Sequence, residues 1–264
     1  MIRVEDRPLA RATAERLSAW QAELDAVDDY ERRVEAALEA YRLRSRTKVF
    51  EDVRSTLRSM CSGLERCGYC EDGPAHHIEH IWPKSRYPER TFVWLNLLFC
   101  CGDCNERKND RFAVIREGTL HELPRQTKGR RTPPPQGQPA IVDPRREDPL
   151  EFLELDLVDT FFVEPRVGLD ERSRLRARYT IDVLQLNRRE VLVEGRRDAL
   201  RDYELRVQDY ASLGPRAPQG QRERLLREIA RLRHRMVWEE MKRSPDLVEG
   251  LRSCLESAPE LASI

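Results

Sequence analysis

Four of the seven cysteines fall into two pairs of one form, Cys67-Gly-Tyr-Cys70 and Cys101-Gly-Asp-Cys104, with 30 residues between them. A C-x-x-C turn aims two sulfurs at a common point, so two such turns complete a tetrahedral thiolate shell suited to Zn²⁺. A closed shell leaves no position open to substrate, which makes this expected zinc structural, a staple for a segment too small to fold alone. A redox pair is the alternative for any single C-x-x-C. Two pairs with a polar loop between them and no adjacent βαβ pattern favour the metal. Cys100 adjoins Cys101 and could offer a sulfur, but only Cys101 keeps the two-residue spacing of the first turn. Cys61 and Cys254 are expected to be buried free thiols.

The elements that must position this frame read mainly as helix. Leu17, Trp20, Leu24 and Val27 recur at steps of three and four, as do Val53, Leu57 and Met60, which predicts two or three amphipathic helices. Between Cys67 and about Arg111 the helical period disappears and Cys, His, Gly, Pro and Asn concentrate, marking a compact, loop-rich unit. Residues 124–140 mix proline, glycine and basic residues without apolar period, so a linker or exposed loop is expected and neither a helix nor a central strand. Leu153, Leu155 and Leu157 alternate with acids, and Phe161 and Val163 follow in phase, predicting a strand pair. Helical spacing returns after Gly168, with Leu200, Tyr203, Val207 and Tyr210 on one helix. Leu225, Ile229, Leu232 and Met236 lie on another, and Gly214 and Pro215 separate the two. The expected fold class is α+β, mainly α, with a helical region over 1–62 and a zinc-stabilised core over 63–123. A linker follows over 124–145, then a short β element and helical domain over 146–264.

Composition narrows function less than spacing does. The 47 basic and 47 acidic residues cancel, so overall charge argues for no nucleic-acid partner. Local charge tilts basic, since Arg54 to Arg131 holds 14 Lys or Arg against 10 Asp or Glu, a balance of +4. Charged residues at 36% and aromatics at 7% suit helices rich in i,i+4 ion pairs. No apolar run approaches the roughly 20 residues needed to span a bilayer, and the opening residues lack the apolar core of a secretory signal. A cytoplasmic protein without membrane attachment is expected. His76, His121 and His234 have no motif around them and are expected to be solvated or capping.

The stretch HHIEHIWPKSRYPERTFVWLNLLFCCGDCNERKND resembles the HNH endonuclease family, whose hallmark is an acid-His pair, a middle Asn, and an Asn directly after the second zinc knuckle. The resemblance implies a ββα-metal core, in which a two-stranded hairpin and a helix grip one divalent ion, embedded here in the amphipathic helices. It maps Glu79 and Asn105 to ligands of a catalytic Mg²⁺ or Mn²⁺, His80 to the general base, and Asn96 to the residue that holds the His80 strand in register. The acid is Glu where the family usually has Asp, which keeps a hard oxygen ligand but adds a methylene, leaving direct or water-mediated ligation open. An uncharged imidazole with an ordinary pKa of about 6.5 can accept a proton from water near neutral pH. With a strand period of two, His77 shares a face with Glu79 and could orient it or bind phosphate. Lys84 and Arg86 follow Pro83 in a loop, where cations could hold flanking phosphates, and Lys108 is placed to assist electrostatically.

Over roughly residues 65 to 190, IEHIWPKSRYP, WLNLLFCCGDCNERKND, IVDPRREDPLEFLEL and YTIDVLQLNRRE together resemble the HNH nucleases of Septu-type and retron-associated anti-phage systems. That resemblance implies a nuclease working beside an ABC/AAA-like ATPase, and the sequence holds no G-x-x-x-x-G-K-S/T loop of its own. The helices before 60 and after 170 would then be docking surfaces. DNA is the expected substrate; RNA stays open, because such a site grips a phosphodiester and need not touch the 2′-OH. Two other readings stand beside this one: a zinc-stabilised nucleic-acid- or protein-binding module without catalysis, and a scaffold whose zinc only holds helices together.

Overall fold

The computed structural model describes residues 1–124, 131–214 and 217–264. Three helices come first: α1 (Arg11–Asp25), α2 (Tyr30–Arg44) and α3 (Lys48–Ser59). Asp29 caps α2 by accepting a hydrogen bond from Arg32 N at 2.9 Å. The spacing of Leu17, Trp20 and Leu24 on α1 and of Phe50, Val53 and Leu57 on α3 puts each set on one face, and both faces bury in one apolar cluster. Trp20 stacks on Phe50 with ring centroids 6.3 Å apart.

A hairpin follows, β1 (His77–His80) antiparallel to β2 (Leu97–Cys100), and then the short helix α4 (Gly102–Lys108). All four residues of β2 are buried, because both faces of the hairpin are covered. Leu97 and Phe99 enter the cluster with α1 and α3, while Leu98 and Cys100 enter a second and larger core. Strand alternation thus makes β2 the seam between the N-terminal helices and the rest.

The next strands are β3 (Ala113–Arg116), β4 (Thr119–Glu122) and β5 (Gln138–Pro139), in the order β4-β3-β5 and all antiparallel. The β3–β4 hairpin is absent from the expectations above. Glu117 and Gly118 both have positive φ, 50° and 77°, the two-residue turn whose twist matches its strands. The expected linker is corrected in one respect: Gln138 and Pro139 pair with β3, on an edge, where a proline's missing N–H costs no ladder bond. Residues 125–130 of that stretch lie outside the described residues.

The strand pair expected near residue 155 is β6 (Leu153–Leu155) with β7 (Val163–Pro165). Helices α5 (Glu171–Val183), α6 (Glu190–Ser212), α7 (Gln219–Ala230), α8 (Arg235–Arg243) and α9 (Leu251–Ser257) complete the fold. Leu225 to Met236 do not share one helix as expected. The chain breaks at Arg231–His234, where His234 takes φ +53° ahead of α8. His234 is also not a solvated histidine: it is 2% exposed, its Nε2 lies 3.2 Å from Asp72 beside the first knuckle, and Gly195 on α6 leaves the space it fills. A Cβ at Gly195 would stand 2.7 Å from that nitrogen. The larger core runs unbroken from the knuckle cysteines to Tyr203, stacked on Trp238, so the mixed α+β, mainly helical architecture buries all four knuckle cysteines. No helix among the described residues is long and apolar enough to cross a membrane.

Candidate active site

The two knuckles close on one another. Gly68 N donates to Phe99 O at 3.0 Å, which seats the first knuckle on β2, and Cys101 leaves β2 directly to become the N-cap residue of α4, with Cys104 in its first turn. The Sγ atoms of Cys67, Cys70, Cys101 and Cys104 lie within 4.8 Å of one another, and those of Cys70 and Cys101 are 3.8 Å apart. A tetrahedral ZnS₄ centre with Zn–S bonds of about 2.3 Å places its sulfurs about 3.8 Å apart, so the four residues fit zinc. Cys100 is buried in the same core, but its sulfur is not among the four that cluster. Cys61 and Cys254 are only half-buried, which corrects the expectation of buried thiols.

One further side chain reaches the cluster. Arg189, at the N-terminal end of α6, is 7% exposed and donates from Nη2 to Cys104 Sγ at 3.3 Å. Four thiolates around Zn²⁺ carry a net charge of −2, so a buried guanidinium beside them offsets charge taken out of water. Gln185, in the same loop before α6, accepts a hydrogen bond from Arg107 of α4. The segment LQLNRRE therefore grips α4 at two points.

β1 carries the proposed chemistry. Side chains alternate along it, so Glu79 faces the Leu98 side, toward α4, and His80 faces the Leu97 side, toward α2. Glu79 is 5% exposed and its Oε1 lies 2.6 Å from Lys108 Nζ, which also donates to the His80 carbonyl at 3.0 Å. Burial pushes the Glu79 carboxyl above the usual carboxylate range, with Lys108 and then Lys84 pulling the other way. Burial likewise holds the His80 imidazole well below the ordinary histidine range, so the ring is uncharged. His80 Nε2 and Thr91 O are 3.0 Å apart. A carbonyl only accepts, so Nε2 carries the proton and Nδ1 presents its lone pair. Tyr41 of α2 meets the same ring edge-on, with centroids 4.7 Å apart.

Asn96 braces the loop between the strands, and is 2% exposed. Its Oδ1 accepts from Trp82 N at 2.8 Å and its Nδ2 donates to Trp82 O and Arg90 O at 3.0 and 2.8 Å. Asn105 stands one residue past Cys104 on α4, so the clamp fixes its direction. Glu79, His80 and Asn105 all line one cleft of about 830 Å³, together with His76, His77 and Lys84. Of the four residues set aside for phosphate contact or support, His77 and Lys84 line this cleft. Lys108 does not; it is fully buried beneath it against Glu79 and is no free cation. Arg86 turns to the carbonyl of Pro124 on another surface. The Glu79 carboxylate and the Asn105 amide offer oxygens of the hard character that suits Mg²⁺ or Mn²⁺.

Sequence reasoning missed Thr91 and Tyr41. Thr91 acts through its backbone carbonyl, which no residue type announces, and Tyr41 belongs to a helix read only as scaffold.

Residues 65–111 match the family model described as HNH endonuclease. A search of curated proteins finds no match for the chain. The matched segment contains all four clustered cysteines, Glu79, His80, Asn96 and Asn105, and supports metal-dependent nuclease activity. Tyr41 and Arg189 lie outside it.

Two outcomes are expected. Cys101→Ser abolishes stoichiometric zinc, measured by atomic emission on purified protein, whereas Cys100→Ala retains one zinc per chain. Arg189→Met keeps the folded circular-dichroism spectrum but binds zinc about 10- to 100-fold more weakly in competition with a chromogenic chelator.

Proposed function

We propose that this protein is a metal-dependent HNH endonuclease that hydrolyses phosphodiester bonds of DNA. The observation that carries the reading is the meeting of Glu79, His80 and Asn105 in one cleft, with His80 held in a single tautomer by Thr91. Glu79 and Asn105 would hold the divalent ion, which when bound neutralises charge on the phosphoryl oxygens and the departing 3′ oxygen.

The protein's own groups supply the rest. His80 Nδ1 accepts a proton from the attacking water, and the bond from Nε2 to Thr91 O keeps the ring oriented as it becomes charged. Tyr41 limits the ring's rotation from the other side. Lys108 positions Glu79 and, through the His80 carbonyl, the end of β1, so one buried ammonium ties the two neighbouring residues to α4. Asn96 fixes the loop that delivers Thr91.

In its wider setting we propose an effector nuclease of an anti-phage defence system, cytoplasmic and partnered by an ABC/AAA-like ATPase. The likeness of IVDPRREDPLEFLEL and YTIDVLQLNRRE to Septu-type and retron-associated nucleases supports this. Copurification with a coexpressed ABC/AAA-like ATPase checks it; a chain that elutes alone at physiological salt contradicts the partnership.

The nuclease itself is tested on circular DNA, single-stranded and supercoiled, with Mg²⁺ or Mn²⁺ and with the ATPase supplied. His80→Ala and Asn105→Ala are each expected to lower the cleavage rate by about 10²–10⁴-fold. Equal rates for native and substituted proteins contradict these roles, and no cleavage by any of them favours a binding module.

A further inference from the structure

The HNH segment builds only part of the cleft. Leu38, Tyr41, Ser45, Arg46 and Arg54, from α2, α3 and the turn between them, form its other wall. Charge is divided between the walls. The side built by β1, α4 and the turn after it presents Glu79, Asn105, Glu106 and Asp110, whereas the helical side presents Arg46 and Arg54, with Lys84 between.

These cations differ from their neighbours. Six basic residues lie between Arg42 and Arg58. Arg42, Arg44, Lys48 and Arg58 each pair with a carboxylate, to Glu39, Glu23, Glu51 and Glu65 respectively. Arg46 and Arg54, the two that line the cleft, form no ion pair among the described residues, and neither does Lys84. Lys84 instead holds its ammonium 4.5 Å from the centroid of Tyr41, the ring that also contacts His80. In a chain where acids equal bases, three cations around one cavity that form no ion pair among the described residues mark the place of an external anion.

We propose that this helical wall is the backbone-binding half of the substrate site, and that it takes a single strand of nucleic acid. The inference rests on the nuclease reading and names the substrate form. Phosphates flanking the cut lie against Arg46, Arg54 and Lys84, while the scissile one meets His80 and the oxygen-rich side opposite. His80 is 3% exposed and lies beneath Tyr41, so a phosphate reaches it only by entering between the walls. A space of 830 Å³ is about 12 Å across if equal in all directions, the width of one major groove alone and too small to take in the whole duplex that carries it. A flexible strand can thread such a space; a rigid duplex cannot bring its backbone down to the ring.

The test is fluorescence anisotropy of a labelled single strand and its matching duplex across a salt series. The protein carries Asn105→Ala so that cutting is slow beside the measurement, with circular dichroism and zinc content as folding controls. Arg46→Ala plus Arg54→Ala is expected to weaken single-strand binding at least tenfold and to reduce the slope of log K against log[salt] by about 1.4. The matching duplex is expected to bind at least tenfold more weakly than the single strand. Arg46→Glu alone, at an exposed position, gives a second probe and is expected to weaken binding further than Arg46→Ala. Unchanged affinity and slope overturn the wall, and a duplex bound as tightly as the strand overturns the single-strand assignment. If the unsubstituted protein cuts nothing but the binding pattern holds, the catalytic reading fails and the wall stands; absence of any binding removes both.

Discussion

Four sulfurs drawn to one point set the geometry on which everything else in this molecule depends. The β1–β2 hairpin has four residues in each strand and α4 has seven, too little to hold a shape in water without help. A structural zinc contributes on the order of 10–16 kcal/mol of apparent binding free energy, enough to order so small a unit. The first knuckle is bonded to β2 and the second continues directly from β2 into α4, so closing the cluster sets strand and helix in one relation. Asn105, one residue beyond a sulfur ligand, inherits its position from that closure.

A second constraint works against stability. Glu79, His80, Asn96 and Lys108 are polar and almost wholly buried, and unpaired they would each cost several kcal/mol. They persist because nearly every one is bonded to something fixed: His80 to Thr91, Asn96 to Trp82 and Arg90, Lys108 to Glu79 and the β1 backbone. Such an arrangement trades stability for a single geometry. The C-terminal helices contribute to it from a distance, since Arg189 and Gln185 hold α4 from behind. Arg145 does the same for β2, bonding to the Leu97 carbonyl while pairing with Asp6 at 2.6 Å. The DPRREDP and LQLNRRE segments thus earn their place structurally, as braces on the two elements that carry the site.

Much of this was legible in residue order. Cysteine spacing located the clamp, and period-three-and-four patterns found α1, α3 and the apolar face of α6, though not α2. What stayed hidden was of three kinds. Short strands such as β3 and β4 follow from a turn at Glu117–Gly118 that a helix-weighted reading passed over. Contacts made through main-chain carbonyls, Thr91 above all, carry no signature in side-chain type. Long-range pairing also changes what a residue can do: Lys108 reads as a free cation beside Asn105, yet the fold folds it under β1 against Glu79. His234 and Asp72 are 162 positions apart and meet only because α6 has a glycine where the imidazole must sit.

The most direct measurement is a crystal structure of the Mn²⁺-soaked protein with anomalous data collected at both the zinc and the manganese edges. The account requires zinc signal among Cys67, Cys70, Cys101 and Cys104, and manganese signal within bonding reach of both Glu79 and Asn105 with the His80 ring facing the same space. Manganese bound elsewhere, or Glu79 still held wholly by Lys108 with no ion beside it, would contradict it.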